Sequence, residues 1–273
     1  MLRCVYCDLD GTLLGRDASL LHDAEGAFTT AGVRALEACA RAEAEVVIYS
    51  GRREVQVSED ARLLGMSSYI FEIGAGLVID GELEWLTDGL EPRDEVTIHD
   101  QITDSGAPAL LLERFAGRLE YHAPWHTNRE VSHLFRGDVD PFEAREVLEA
   151  DGLGHLRLVD NGRLRRRNTP TLPDLDGLQA YHLVPAGASK ARAVARHMQA
   201  RGYAREECIA VGDSREDMDA ADVVGTFWLV ANALARDPSL SEAIAGRDNV
   251  RVTADGHGAG VYEAVVTTLA EQR

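Results

Sequence analysis

Asp8-Leu9-Asp10-Gly11-Thr12 places two carboxylates at i and i+2 directly after a short apolar run, residues 2–7. On a strand they would leave on opposite sides, but Gly11 permits a turn that brings both to one site. A carboxylate of ordinary acidity is ionised at neutral pH and can attack phosphorus, and a second one can protonate the leaving oxygen and later activate water. Ser50-Gly51-Arg52 follows the β-branched run 45–49, offering a hydroxyl donor to a phosphate oxygen and, at Gly51, close backbone approach. Gly212-Asp213-Ser214-Arg215-Glu216-Asp217 follows the apolar run 208–211, and Asp213 and Asp217 are hard oxygen ligands of the kind magnesium takes. Lys190 opens a helical stretch after Gly187-Ala188-Ser189, where it can hold a phosphate or orient an anionic nucleophile. Taken singly, each stretch also suits a plain role: an acidic turn, a helix cap at Ser50, a solvated lysine.

Short apolar runs alternate with helical patterns over 24–44, 54–64, 190–201 and 261–269. This alternation predicts an α/β fold, a Rossmann-like doubly wound parallel sheet with helices on both faces, in which function gathers at the carboxyl ends of strands. The middle of the chain is richer in turns, charge and histidine. It predicts an inserted α+β cap domain over 82–182, within a core formed by 1–81 and 183–273. Pro141–Ala150 reads as a helix, Asp160-Asn161-Gly162 as a hairpin turn, and 170–176 as a loop.

The order and placement of these stretches resemble the haloacid dehalogenase (HAD) superfamily. D-L-D-G-T is similar to its first motif, Ser50 in Y-S-G-R to its second, Lys190 in G-A-S-K to its third and G-D-S-x-x-D to its fourth. The resemblance implies a phosphomonoester hydrolase working through an aspartyl-phosphate. Asp8 would be nucleophile and Asp10 general acid/base. Mg2+ would sit on Asp8, the Asp10 carbonyl and Asp213, supported by Asp217. Thr12, Ser50, Gly51 and Lys190 would hold phosphoryl oxygens. An insert between the second and third motifs resembles members with a large type-II cap: the Cof-like, sucrose-phosphate and mannosyl-3-phosphoglycerate phosphatases. That implies a small phosphorylated metabolite, a sugar phosphate first, as substrate. Glu216 and Ile73 stand where such relatives often carry Asn. A phosphosugar mutase and a non-catalytic scaffold are the alternatives.

For substrate contact the candidates are Arg52 at the hinge and His133, Arg136, Arg163, Arg165, Arg166, Arg167 and His182 in the cap; a run of arginines is also an ordinary solvated face. His122, His126 and His133 have irregular spacing for a metal site. Cys4 and Cys7 read as small buried strand residues. The formal charge of -18, from 46 acidic and 28 basic residues, disfavours nucleic acid and anionic membranes. With no export signal and no membrane-length apolar run in view, a cytoplasmic location is expected. The cap could mediate a homodimer, although nothing in the sequence requires one.

Overall fold

The computed structural model describes residues 1–164, 172 and 178–272. Its strands, in chain order, are β1 Cys4–Cys7, β2 Glu45–Tyr49, β3 Ser68–Phe71, β4 Gly76–Ile79, β5 Glu82–Trp85, β6 Leu119–Tyr121, β7 His133–Gly137, β8 Leu156–Arg163, β9 Gln179–Pro185, β10 Cys208–Gly212, β11 Thr226–Leu229 and β12 Val250–Val252. Eight form one sheet in the order β12-β11-β10-β1-β2-β3-β4-β5. It is parallel from β12 to β3, and β4 and β5 add antiparallel. Both faces are covered. Val5 and Cys7 of β1 point into one apolar core, Cys4 and Tyr6 into the other. That alternation is why β1 reads as a continuous apolar run rather than an amphipathic one. The chain leaves β1 toward β2 and β3, and later returns to add β10, β11 and β12 on β1's other side. The crevice outside the ends of β1 and β10 is therefore the switch point of the sheet.

Several elements differ from the sequence expectation. The helix expected over 24–44 begins only at Ala31 and ends at Arg41. Ahead of it, the Asp23 carboxylate accepts from the backbone N–H of Glu25 and Ala27, a local alternative to helical hydrogen bonds. Asp160-Asn161-Gly162 is not a hairpin turn. β8 runs through it, and the pairing with β9 shifts register between Asp160 and Arg163, so the segment is a bulge. Gly162 adopts φ +94°, and the Asp160 side chain accepts from its N–H, so the same residue types serve the bulge. The core sheet extends to Trp85, beyond the expected boundary at 81, and β9 continues to Pro185, past the expected return at 183. The expected loop 170–176 lies outside the described residues except for Leu172.

The second sheet, β6-β7-β9-β8, is antiparallel. One face packs on the helices Ile98–Asp104, Ala107–Arg114 and Pro141–Ala150 through Phe135, Leu158, Tyr181 and Leu183. His133 shares that face. It stacks on His99 at 3.8 Å and lies 3.3 Å from Thr103 Oγ1. Burial, then the neighbouring His99, pushes His133 down to about 4. Between pH 6.5 and 4 the unfolded chain therefore binds a proton that the folded chain refuses, so stability falls on acidification by on the order of 3 kcal/mol from this residue. Urea unfolding at stepped pH should show a shallower loss below pH 6.5 in His133→Gln than in the parent.

Candidate active site

Three loops meet at the switch point. After β1 the chain turns at Gly11, φ +93°. A Cβ there would stand 2.0 Å from Asp213 Oδ2, so any side chain would be driven into a candidate metal ligand. The Asn232 amide holds the turn by donating to the Gly11 carbonyl at 2.9 Å. After β10, Asp217 closes a capping box: its Oδ2 accepts from Asp213 N, Ser214 N and Ser214 Oγ. Lys190 is the first residue of the helix Lys190–Arg201, whose Ser189 cap accepts from Arg192 N. This start aims the lysine into the cluster. Its Nζ lies 3.2 Å from Asp8 Oδ1, 2.5 Å from Asp217 Oδ1 and 3.3 Å from Glu216 Oε2.

Asp8, Lys190, Asp213 and Asp217 are all buried. Burial raises the Asp8 carboxyl well above its ordinary range; Lys190 pulls it down, but Asp217, Asp213 and Asp10 push it back up. Burial likewise raises Asp213 against the pull of Arg236. For Lys190 burial disfavours the charge, yet Asp217, Asp8 and Glu216 prevail and hold it well above the usual lysine value. Burial brings Glu216 to about 7 despite Lys190.

A metal fits here on the donor set. One carboxylate oxygen from each of Asp8, Asp213 and Asp217 lies within 4.8 Å of the others, a cluster of hard oxygens suited to magnesium. Four carboxyl groups, Asp8, Asp213, Glu216 and Asp217, face the two cations Lys190 and Arg236. A divalent ion held by these carboxylates would supply positive charge to balance them. Thr12 Oγ1 is buried and makes no hydrogen bond, which leaves it available to a phosphoryl oxygen. Ser50 is buried at the end of β2, where its Oγ accepts from Arg52 N at 3.2 Å.

Other expected residues are placed differently. Asp10 is exposed, outside the three-carboxylate cluster, and gripped by Arg52 through two bonds of 2.6 and 2.7 Å. Arg52 also holds Asp60 at 2.8 Å, so its guanidinium is committed to positioning Asp10 rather than open to substrate. His182 lies over the site: a Cβ on Gly51 would meet its Nε2 at 3.1 Å. Burial, then Arg129, Lys190 and His122, depresses His182 well below its ordinary value. Arg136 shares the His182 face, because Leu134 pairs with His182 and Arg136 is two residues on. It is ion-paired to Glu120 at 2.5 Å. By the same alternation His133 points away from that face, into the cap's own core. Arg163 sits at the cap–core seam, 3.5 Å from the Arg236 carbonyl. Arg165, Arg166 and Arg167 lie outside the described residues.

Three residues escaped the sequence reading. Arg236 donates to Asp213 Oδ2 at 2.5 Å and to the Asp213 carbonyl at 2.7 Å. Arg129 is buried and donates to the Gly51 carbonyl at 3.2 Å. Glu72 accepts from the backbone of residues 130–132. Only Glu72 carried a signal, its E-x-G-A context at 72–75.

A phosphoglycolate phosphatase of Methanothermobacter thermautotrophicus is 34% identical over 265 residues, covering 97% of each chain. The chain belongs to the HAD superfamily of phosphatases. The fold agrees with solved members: a sucrose-phosphatase from Synechocystis (16% identity, 98% of each chain, TM-score 0.67) and a HAD phosphatase from Bacteroides thetaiotaomicron (15% identity, 98% of this chain and 95% of that one, TM-score 0.62). No family model matches the chain. As a phosphatase of this family it acts on small phosphorylated metabolites. Among the described residues no helix is long and apolar enough to cross a membrane.

Proposed function

We propose that the protein is a Mg2+-dependent phosphomonoesterase in which Asp8 takes the phosphoryl group, and that its substrate is a short phosphorylated carboxylic acid. The observation that carries the chemistry is the buried set of Asp8, Asp213 and Asp217 with Lys190 on Asp8. When bound, Mg2+ offsets the repulsion between Asp8 and an anionic phosphate. Lys190 screens the same charge and fixes Asp8 for in-line attack, while Thr12 and Ser50 offer hydroxyls to the phosphoryl oxygens. Asp10, oriented by Arg52, protonates the leaving oxygen and then takes a proton from the water that cleaves the aspartyl-phosphate.

Charge supports the substrate class. Where the cap meets the core at Gly162, Arg163, Asp213, Ser214 and Arg236, the enclosed space is only about 20 Å³, room for a water. On the cap's side, Arg129 and Arg136 carry charge that Glu72 and Glu120 partly offset, and His122 and His182, held toward the neutral form, supply hydrogen-bonding nitrogens; this suits a second anionic group beside the phosphate. Phosphoglycolate, the substrate named for the Methanothermobacter relative, has that character; a sugar phosphate is bulkier and carries no second anion. Phosphate release should be measured over a panel of phosphorylated acids and sugar phosphates, with Mg2+ and with chelator. The expected result is the highest kcat/KM on a two- or three-carbon phospho-acid, and loss of at least about a hundredfold on chelation. A preference for hexose phosphates would overturn the substrate class, and full activity in chelator the metal.

A further inference from the structure

Far from the catalytic loops, at the opposite ends of the strands, a second cluster is built into the sheet. Cys208, Cys4 and Glu45 are the first residues of β10, β1 and β2, and the register pairs Cys4 with both neighbours. In-register residues of adjacent strands share a pleat, so this row stands on one face. The helix Lys190–Arg201 covers that face and lowers His197 onto it, fully buried. Cys4 Sγ, a Glu45 carboxylate oxygen and a His197 ring nitrogen lie within 4.8 Å of one another.

His197 supplies the decisive detail. Its Nδ1 is held by Tyr6 OH at 2.8 Å, whereas its buried Nε2 makes no hydrogen bond and stands 3.5 Å from Glu45 Oε1. Metal-bound imidazoles have this arrangement, one nitrogen fixed by a hydrogen bond and the other free to ligate. The supports continue outward. Glu45 accepts from Ser68 Oγ, Tyr203 OH and Arg201 Nη2. Cys208 stands beside Cys4 in the strand register.

We propose that Cys4, Glu45 and His197 form a zinc site, independent of the catalytic centre. A thiolate, an imidazole and a carboxylate are the three ligand types zinc takes, at about 2.0–2.3 Å from the ion. Ligand atoms arranged tetrahedrally at those lengths lie on the order of 3.5 Å apart, so modest side-chain movement suffices. The hard-oxygen cluster at Asp8 suits magnesium instead, so the two sites divide by ligand softness. Binding replaces the Cys4 thiol proton with the ion, and the proton leaves to solvent. With a water in the fourth position, reached through the partly exposed Glu45 side, the ion would tie β1, β2 and the Lys190 helix together on the side of the sheet away from the chemistry.

The test uses the full chain carrying Asp8→Asn and Asp213→Asn, so that the catalytic carboxylates do not compete. Calorimetry with zinc chloride after chelator treatment should show one equivalent bound, lost in the further variants Cys4→Ser and His197→Gln. Because a core variant can fail to fold, cobalt(II) is added to the unaltered cluster in the same background. Expected is a near-ultraviolet sulfur-to-cobalt charge-transfer band with the visible bands of tetrahedral cobalt. Absence of that band, or zinc binding unchanged in a folded Cys4→Ser chain, would overturn the proposal. Failure of the phosphatase proposal would show instead in phosphate release, which this titration does not read.

Discussion

Asp8→Asn should abolish phosphate release, by at least about a thousandfold, and at the same time leave the metal-free protein as stable as the parent or more so. The first half follows from removing the nucleophile: an amide does not attack phosphorus, and no neighbouring group occupies the same place between Lys190 and the metal ligands. The second follows from electrostatics. Burial, with Asp217, Asp213 and Asp10 nearby, raises the Asp8 carboxyl well above its ordinary range despite Lys190, so at neutral pH holding it ionised in the fold costs free energy. The amide removes that cost while keeping the shape. Thermal melts in chelator should place Asp8→Asn at or above the parent. Melts with Mg2+ should reverse the order, because a ligand stabilises only the form that binds it and the variant has lost one of its three carboxylates. A variant that is active, or one that melts well below the parent without metal, would show that Asp8 serves packing rather than chemistry.

That trade of stability for function explains which parts of the site were legible in the sequence. Asp8, Ser50, Asp213 and Asp217 stand one to five residues beyond a strand, and Lys190 opens a helix; their positions follow from local pattern and from the rule that parallel strands deliver their loops to one edge. Residues whose roles depend on register were not legible. His133 and His182 both sit in apolar cap strands, and only the pairing of Leu134 with His182 decides that one faces the core sheet and the other the cap helices. The Asp160-Asn161-Gly162 segment has the composition of a turn, and a bulge uses the same residues for the same backbone reason. Arg236 meets Asp213 from 23 residues away, and Arg129 reaches Gly51 from 78 residues away. Such distances leave no periodic trace. His197 falls within the helical pattern 190–201 with nothing in its spacing to mark it, and what gives it interest is the row of strand-start residues beneath it.

Glu72 gives the second large expected effect. It is fully buried at the junction of core and cap, in a left-handed conformation at φ 45°, followed by Ile73 at φ 60°. Such strain persists only where surrounding contacts impose it. Here the carboxylate accepts from Glu130 N at 2.8 Å, Val131 N at 3.2 Å, Ser132 N at 2.6 Å and Ser132 Oγ at 2.7 Å. Arg129 Nη1 stands 3.6 Å away and donates to the Gly51 carbonyl and Ser132 Oγ. Ser132 Oγ meets His182 Nδ1 at 3.1 Å. One carboxylate thus joins the loop before β7 to the Ser50 loop and to the histidine above it. Glu72→Ala would orphan those donors and leave the Arg129 charge buried without its counterion, a loss of about 3–5 kcal/mol. Arg129→Met removes the other member. The double variant should lose less than the sum of the two, because the unpaired charge disappears with its partner. Urea unfolding of the four chains measures this directly. Kinetics on the folded Arg129→Met enzyme should show KM rising more than kcat falls, since Asp8, Lys190 and the metal ligands are untouched while the Gly51 carbonyl and the cap lose their common anchor. Additive stabilities, or a kcat loss with unchanged KM, would mean that the pair is local packing and that the cap is registered to the core by something else.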